Sequence, residues 1–349
     1  MMRITPAIIL FLLFLTGAES FSQDKNAGKT VPLFESDDII HLDLRADFKA
    51  VFAATDDSTY FPAELIWQSD DGKNAAFDVE IRQRGETRRK KTTCSFAPLR
   101  LKFPKNITDG TPFEDQKTIK LVTHCNKGDA FEQNIIAEYL VYKAFNVLTD
   151  SSFKVRPALI RYISTGKKAD TLQKFAFFIE REKHLAQRLK GDEIETEKVH
   201  PDRLDPFQTC LVDLFEYMIG NTDYSIYERH NMVIVSNKTG QPPFISVPYD
   251  FDWSGLVSAS YAVPNPKFNT SDVKVRIYRG LKRDRETVDR AIRLFNERKQ
   301  EIYRVFESYE LLEQNERKQI ARYLDEFYWT INNEAQVRVE FFERARERE

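Results

Sequence analysis

The residues best suited to chemistry lie in one stretch, 215–255, and they are oxygen donors. Asp223 closes the run Gly220-Asn221-Thr222-Asp223, Asn231 follows His230, and Asp250 and Asp252 flank Phe251. Between Asn231 and Asp252 the letters read as a hairpin: an apolar run at 232–236, a turn at 237–243 centred on Gly240, and a second run at 244–252. Positions whose numbers add to about 480–481 then face each other, which makes Asn231 and Asp250 cross-strand neighbours with Cβ atoms about 4.5–5.5 Å apart. If the second strand stays extended, Asp250 and Asp252 share one side. Two carboxylates and an amide oxygen are hard ligands of the kind that suit Mg²⁺ or Mn²⁺. Asp223 precedes them on a loop, where it is free to face a substrate. Taken singly these parts are ordinary: Gly-Asn also stops helices, and an Asp-x-Asp can be a solvated strand end. Their order and the hairpin register together carry the assignment. His230 is either a ligand or, the preferred reading, a group that orders the loop.

The elements that must hold these groups are legible from periodicity. Residues 39–125 alternate as strands: 40–45, 63–67 and 77–81 around a turn at 69–74, then 99–103 and 118–122. In the strand 99–103, Arg100 and Lys102 share one face and Leu99, Leu101 and Phe103 the other. Residues 129–148 are helical, with apolar positions at Ile135, Ile136, Tyr139, Leu140 and Ala144. Strand character returns at 153–163 and 175–180, a helix at 205–219 runs into Gly220, and 283–347 is a charged helical tail. The basic run from Arg82 to Lys91, Arg88 included, is short and lacks interleaved aromatics, so it reads as a solvated hairpin tip.

The chain has 349 residues, and 52 Lys and Arg against 54 Asp and Glu leave a formal charge of −2. That balance argues against a dedicated nucleic-acid binder or an anionic-membrane binder. With 42% apolar residues a packed core is expected. The five His and three Cys show no zinc-type spacing. Residues 1–22 have the plan of a secretory signal: Arg3, an apolar run at 7–15, then Gly17, Ala18, Ser20 and Ser22. Cleavage is expected after Ser22, with Ala18 as the alternative. The apolar run would rise only about 14 Å as a helix, short of a bilayer core of about 30 Å, so no transmembrane span remains after cleavage. The expected location is periplasmic or extracellular. In such a compartment Cys94 and Cys125, each beside a strand, form a disulfide or else remain two buried thiols, and Cys210 belongs to the core.

The series Gly-Asn-Thr-Asp, His-Asn and Pro-Tyr-Asp-Phe-Asp at 220–223, 230–231 and 248–252 is similar to the atypical kinases of the protein-kinase-like superfamily, above all the spore-coat CotH-like kinases. HipA-like kinases share the first loop. The stretch 82–87 resembles the CotH-like R-x-R-G-x-S turn, 98–103 its basic strand, and 178–181 its lobe connector. The segments 94–103, 120–125 and 249–257 also resemble a group of secreted bacterial proteins, from which no activity carries over. The resemblance covers roughly 77–256. It implies an α+β, two-lobed protein-kinase-like fold. A flexible segment at 23–38 leads to a β-rich N-terminal lobe with one helix at 39–180. A mostly helical C-terminal lobe at 181–349 carries the catalytic loop and metal-binding hairpin.

Residue by residue, the resemblance makes Asp223 the catalytic base and Asn231, Asp250 and Asp252 the metal ligands. Lys102 is the lysine on nucleotide phosphates, with Arg100 and Lys120 as alternates. Glu138 is its ion-pair partner, and Gly85 with Thr87 forms the phosphate-covering turn. The sequence departs from the pattern in the longer Asp223–Asn231 spacing, in the single Gly85, and in Thr87 where the family has Ser. The expected activity is phosphoryl or nucleotidyl transfer, dependent on ATP and on Mg²⁺ or Mn²⁺, to a protein or small-molecule hydroxyl acceptor. A phosphoester hydrolase and a non-catalytic secreted binding module are the rivals.

Overall fold

The N-terminal strands bury alternate residues, as a period of two requires. β1 (Ile40–Ala46) buries Ile40, Leu42, Leu44 and Ala46 and turns His41, Asp43 and Arg45 outward. A short helix, α1 (Phe48–Ala53), follows, capped by the Asp47 carboxylate on the Ala50 N–H. β2 (Phe61–Gln68) and β3 (Asn74–Gln83) make the expected hairpin, with Leu65 opposite Phe77. β4 (Leu99–Lys102) and β5 (Thr118–Val122) continue the antiparallel order. After α2 (Asp129–Leu148) the chain returns as β6 (Val155–Ser164) and β7 (Thr171–Ile179). In this computed structural model the described residues are 28–69, 72, 74–105, 107–166, 170–195 and 198–347. The expected signal peptide lies outside them.

These strands close into a seven-stranded barrel in the order β1-β2-β3-β4-β5-β7-β6. That overturns the expected two-lobed kinase-like fold with a β-sheet N-terminal lobe. The reason is one pairing: β6 runs parallel to β1 along its whole length, from Ile40 beside Ala158 to Ala46 beside Ser164. This removes both free edges of the sheet. Alternation specifies which side chains point inward, and it is the same for an open sheet and a barrel. Leu44, Leu65, Phe77, Leu101, Leu121 and Phe178 fill the interior.

β7 is apolar on both faces because both are covered. Ala176 and Phe178 face the barrel interior, and Phe175, Phe177 and Ile179 join a second core. There Tyr139 and Tyr142 of α2 pack on Phe175 and Phe177. Lys174 ties β7 to the start of α2 through Asp129 and Glu132 at 3.0 and 2.8 Å. The segment 23–38, expected as loose, contains a 3-10 turn, Pro32–Phe34, whose Leu33 and Phe34 are buried against the barrel.

The second core is completed by α3 (Glu182–Arg188), α4 (Pro206–Ile219) and a three-stranded sheet in the order β10-β9-β8. The strands of that sheet are β8 (Gly191–Glu193), β9 (Met232–Asn237) and β10 (Ile245–Pro248). The charged tail supplies α5 (Arg285–Glu297), α6 (Lys299–Glu307), α7 (Gln314–Ile331) and α8 (Glu334–Arg338). Its apolar stripe, including Phe295, Ile302, Phe306, Leu324 and Phe327, is buried as the periodicity requires. Cys94 and Cys125 are bridged, with S–S 2.01 Å and Cα atoms 4.7 Å apart. Cys210 is buried and free. No helix among the described residues is long and apolar enough to cross a membrane.

Candidate active site

The loop that carries Asp223 is set by how α4 ends. Gly220 has φ 67°, the left-handed value that lets its N–H turn back to the carbonyls of Glu216 and Tyr217. A Cβ there would also lie 2.0 Å from the Tyr323 hydroxyl, so only glycine fits. Asn221 then accepts the Asp223 N–H at 2.9 Å in an Asx turn. The Gly255 and Leu256 N–H groups donate to the carbonyls of Gly220 and Ile219, at 3.1 and 2.9 Å. The Asp223 loop and the Asp250–Asp252 segment are thus fastened to each other by backbone. The guanidinium of Arg279 holds the loop from behind, donating to the carbonyls of Thr222 and Tyr224.

The long Asp223–Asn231 spacing is absorbed inside the loop. Ser225 and His230 exchange two backbone hydrogen bonds, at 3.0 and 2.9 Å, and close the intervening residues into a turn. Asn231 therefore reaches Asp223, and its Nδ2 donates to the Asp223 carbonyl at 2.7 Å and to Oδ2 at 3.1 Å. Both acceptors are acceptor-only, which fixes the amide orientation and turns the Asn231 Oδ1 away from Asp223. His230 Nε2 lies 3.1 Å from Asp223 Oδ1. That hydrogen bond raises the His230 pKa against the effect of burial. His230 thus orders the loop, as its position beside Asn231 implies.

The hairpin register differs by one from the expected pairing. Val235 faces Ile245 and Met232 faces Pro248, so the next residue opposite Asn231 is Tyr249, which donates its N–H to the Asn231 carbonyl at 3.1 Å. In regular strands this slip would send Asp250 to the other face. It does not, because the ladder ends at Pro248, and Asn231 and Asp250 adopt φ of 53° and 66°. Both left-handed residues turn back into the same cleft. The Asp250 N–H is held at 2.8 Å by the hydroxyl of Tyr142, one helical turn beyond Glu138 on α2.

The cleft has a volume of about 310 Å³. Three groups line it: Asp223, Asn231, Asp250 and Asp252; Glu138 and Tyr142 of α2; and a wall of Arg84, Gly85, Thr87 and Arg88. Gly85 has φ 90° and marks the turn between β3 and this wall. Arg88 is buried, not a solvated tip. Its guanidinium donates to the Thr123 carbonyl and lies 5.8 Å from the centre of the Tyr261 ring. Burial disfavours its charge, and Tyr261, Asp252, Glu138 and Asp250 more than restore it.

Asp252 accepts from the Tyr261 hydroxyl at 2.9 Å, and burial together with Asp250 pushes its carboxyl up to about 7. Burial, Asp252 and Asp250 push Glu138 well above the ordinary carboxylate range. The Glu138 Oε2 is buried with no hydrogen-bond partner.

The remaining sequence-predicted residues fall elsewhere. Lys102 faces outward from the barrel, paired at 2.6 Å with Glu80, its cross-strand partner. It is not among the cleft's lining, and Glu138 faces Arg88 and Arg84 instead. Arg100 stands in a cross-strand row between Arg82 and Lys120. Lys120 forms an ion pair with Glu182 and lies 4.9 Å from the centre of the Tyr249 ring, at the cleft's rim. Arg84, Arg88, Tyr142 and Trp253 were not assigned roles from the sequence. Arg84 lies within the family-like turn, and Tyr142 follows Glu138 by four positions, so both had a usable signal. The burial of Arg88 and the placement of Trp253 had none.

The donor set can be tested for a divalent cation. Among the described residues, no three His, Cys, Asp or Glu side chains form a metal cage. The set fits a magnesium-type ion, which is bound through one or two carboxylates and completed by water and substrate phosphates. The crowded acids Asp250, Asp252 and Glu138, one of them with an orphaned oxygen, are the groups such a charge would relieve. No protein-family model matches the chain, and no curated protein matches it.

Proposed function

We propose that the cleft binds ATP with Mg²⁺ or Mn²⁺ and transfers its terminal phosphoryl group to a hydroxyl acceptor. One observation carries this reading: Asp223, Asn231, Asp250 and Asp252 line one cleft together with Arg84, Arg88 and the turn at Gly85. Phosphoryl transfer depends mainly on positioning and on neutralising charge, and this arrangement offers both. The ion would be held by Asp250, Asp252 and the Asn231 oxygen, and when bound it neutralises the phosphates. Arg84 and Arg88, in the same lining, supply fixed positive charge. Asp223, clamped by Asn231 and His230, receives the acceptor's proton. The acceptor oxygen bonds to the terminal phosphorus, the bond to the bridging oxygen breaks, and the nucleoside diphosphate leaves with that electron pair. Export to a periplasmic or extracellular compartment belongs to the same proposal, and the Cys94–Cys125 bridge supports it.

Thermal unfolding with ATP, with metal, and with both tests the reading. ATP with Mg²⁺ at a hundredfold excess over Kd should add about 2.7 kcal/mol of stability, and neither component alone should do so. Asp250→Ala should remove that gain. Asp223→Asn should keep it and cut turnover by about 10²–10⁴-fold. Stabilisation by metal alone would favour phosphoester hydrolysis, and none by either would leave a binding module.

A further inference from the structure

The extra residues between Asp223 and Asn231 do more than lengthen a loop. Ile226 and Tyr227 help line a separate cavity of about 500 Å³, larger than the cleft and with no described lining residue in common with it. Leu204 and Leu281 extend its apolar surface, and four charged residues also line it: Asp213, Arg283, Arg346 and Glu347. Most of that charge is already compensated. Arg283 and Asp213 pair at 3.3 Å with both side chains buried, and Glu347 pairs with Lys282 at 2.8 Å. The hydroxyl of Thr209, another lining residue, is spent on the Asp205 carbonyl at 2.7 Å. Arg346 is left over. It is exposed, and its side chain makes one hydrogen bond among the described residues, from Nε to the Arg279 carbonyl at 2.6 Å. Its terminal nitrogens have no acceptor, and the buried Nε of Arg283 has none either.

Two of these lining residues also hold the Asp223 loop. Asp213 accepts from the hydroxyl of Tyr224, the residue after Asp223, at 3.1 Å. Arg346 holds the carbonyl of Arg279, whose guanidinium donates to the carbonyls of Thr222 and Tyr224.

We propose that this cavity is an effector site for a small amphipathic monocarboxylate, and that its occupant restrains the Asp223 loop. The volume lies within the roughly 300–1,000 Å³ of sites that engulf a small molecule. An apolar body packs on Leu204, Ile226 and Leu281, and the carboxylate takes the open guanidinium fork of Arg346. A cationic ligand would find its two candidate partners, Asp213 and Glu347, already paired. A dianionic phosphate would set its second charge beside those same carboxylates, with one free cation to balance it. A ligand touching Ile226 and Tyr227 binds the ordered loop better than an opened one, and so shifts the loop toward order. Neither the binding nor its effect on the loop requires a nucleotide in the cleft.

The test titrates the full chain calorimetrically with naphthoate, and with naphthol, naphthylmethylamine, naphthyl phosphate and acetate as comparators. Naphthoate should bind once per chain and about tenfold or more tighter than each comparator. Arg346→Gln should cost about tenfold in naphthoate affinity, while Arg84→Gln, in the cleft, should leave it unchanged. Hydrogen exchange supplies the second readout: naphthoate should slow the amides of 224–230 several-fold and leave those of β2 alone. Absence of naphthoate binding, equal or tighter binding of any comparator, or full affinity in Arg346→Gln would overturn the site and its ligand class. Affinity lost in Arg84→Gln would place the probe in the cleft and do the same. Binding that leaves exchange at 224–230 unaltered would overturn the restraint of the Asp223 loop.

Discussion

Replacing Asp252 with Asn should stabilise the metal-free protein while disabling its cleft. The Asp252 side chain is 6% exposed, and burial together with Asp250 lifts its carboxyl from 3.8 to about 7. The unfolded chain releases this proton near pH 4, and the folded chain keeps it to about pH 7. Between those values the folded state binds more protons, so stability falls as pH rises. At about 1.36 kcal/mol per pKa unit, the ionised carboxylate costs at most about 4 kcal/mol once the pH passes 7. Asn is nearly isosteric, never ionises, and its oxygen can still accept from the Tyr261 hydroxyl, which lies 2.9 Å from Asp252. Urea unfolding of both proteins in EDTA at pH 5, 6, 7 and 8 measures the difference. Asp252→Asn should already exceed wild type by about 1.5 kcal/mol at pH 5, and the excess should grow to about 4 kcal/mol at pH 8. Added Mg²⁺ and ATP should then stabilise wild type and not the variant. A variant less stable than wild type at pH 8, or a difference that does not change with pH, would refute the reasoning.

Three further outcomes are expected. The double variant Cys94→Ser, Cys125→Ser opens a loop with a sequence separation of 31 and should lose about 3–4 kcal/mol in urea unfolding. Arg188→Ala strips the buried Glu180 of a two-bond ion pair at 3.0 and 2.9 Å and should cost about 3–5 kcal/mol, read as a fall in the urea midpoint. Lys102→Ala should leave the urea midpoint essentially unmoved and ATP affinity unaltered by calorimetry, because its partner Glu80 is exposed with it, outside the cleft.

Much of the secondary structure was legible because burial repeats along it. The helix at 129–148 and the hairpin β2–β3 follow from apolar spacing alone. Short elements without a full period, such as α3 and β8, escaped that reading. The cleft was legible in its oxygen donors: Asp223, Asn231, Asp250 and Asp252 line it together. The route by which they converge was not. Regular hairpin geometry pairs Asn231 with Asp250, whereas the chain pairs Asn231 with Tyr249 and recovers the convergence through two left-handed residues. Local propensity does not single out non-glycine residues that the surrounding contacts force into that conformation.

The sequence by itself determined the longer elements, the inward faces of the strands and the oxygen donors near 223–252. These depend on period and on residue chemistry, which are local. The tertiary structure alone decided three things. It closed the barrel through β1 and β6, whose paired residues Asp43 and Arg161 lie 118 positions apart. It buried Arg88 against Asp252 and Glu138 and set Arg84 in the cleft lining, dividing a run of basic residues that the sequence reads as one solvated tip. It also sent Lys102 outward to Glu80 and away from the cleft. In each case a side chain's environment is set by segments distant in sequence, and the energy of a charge or a strand edge depends on that environment more than on its own letters.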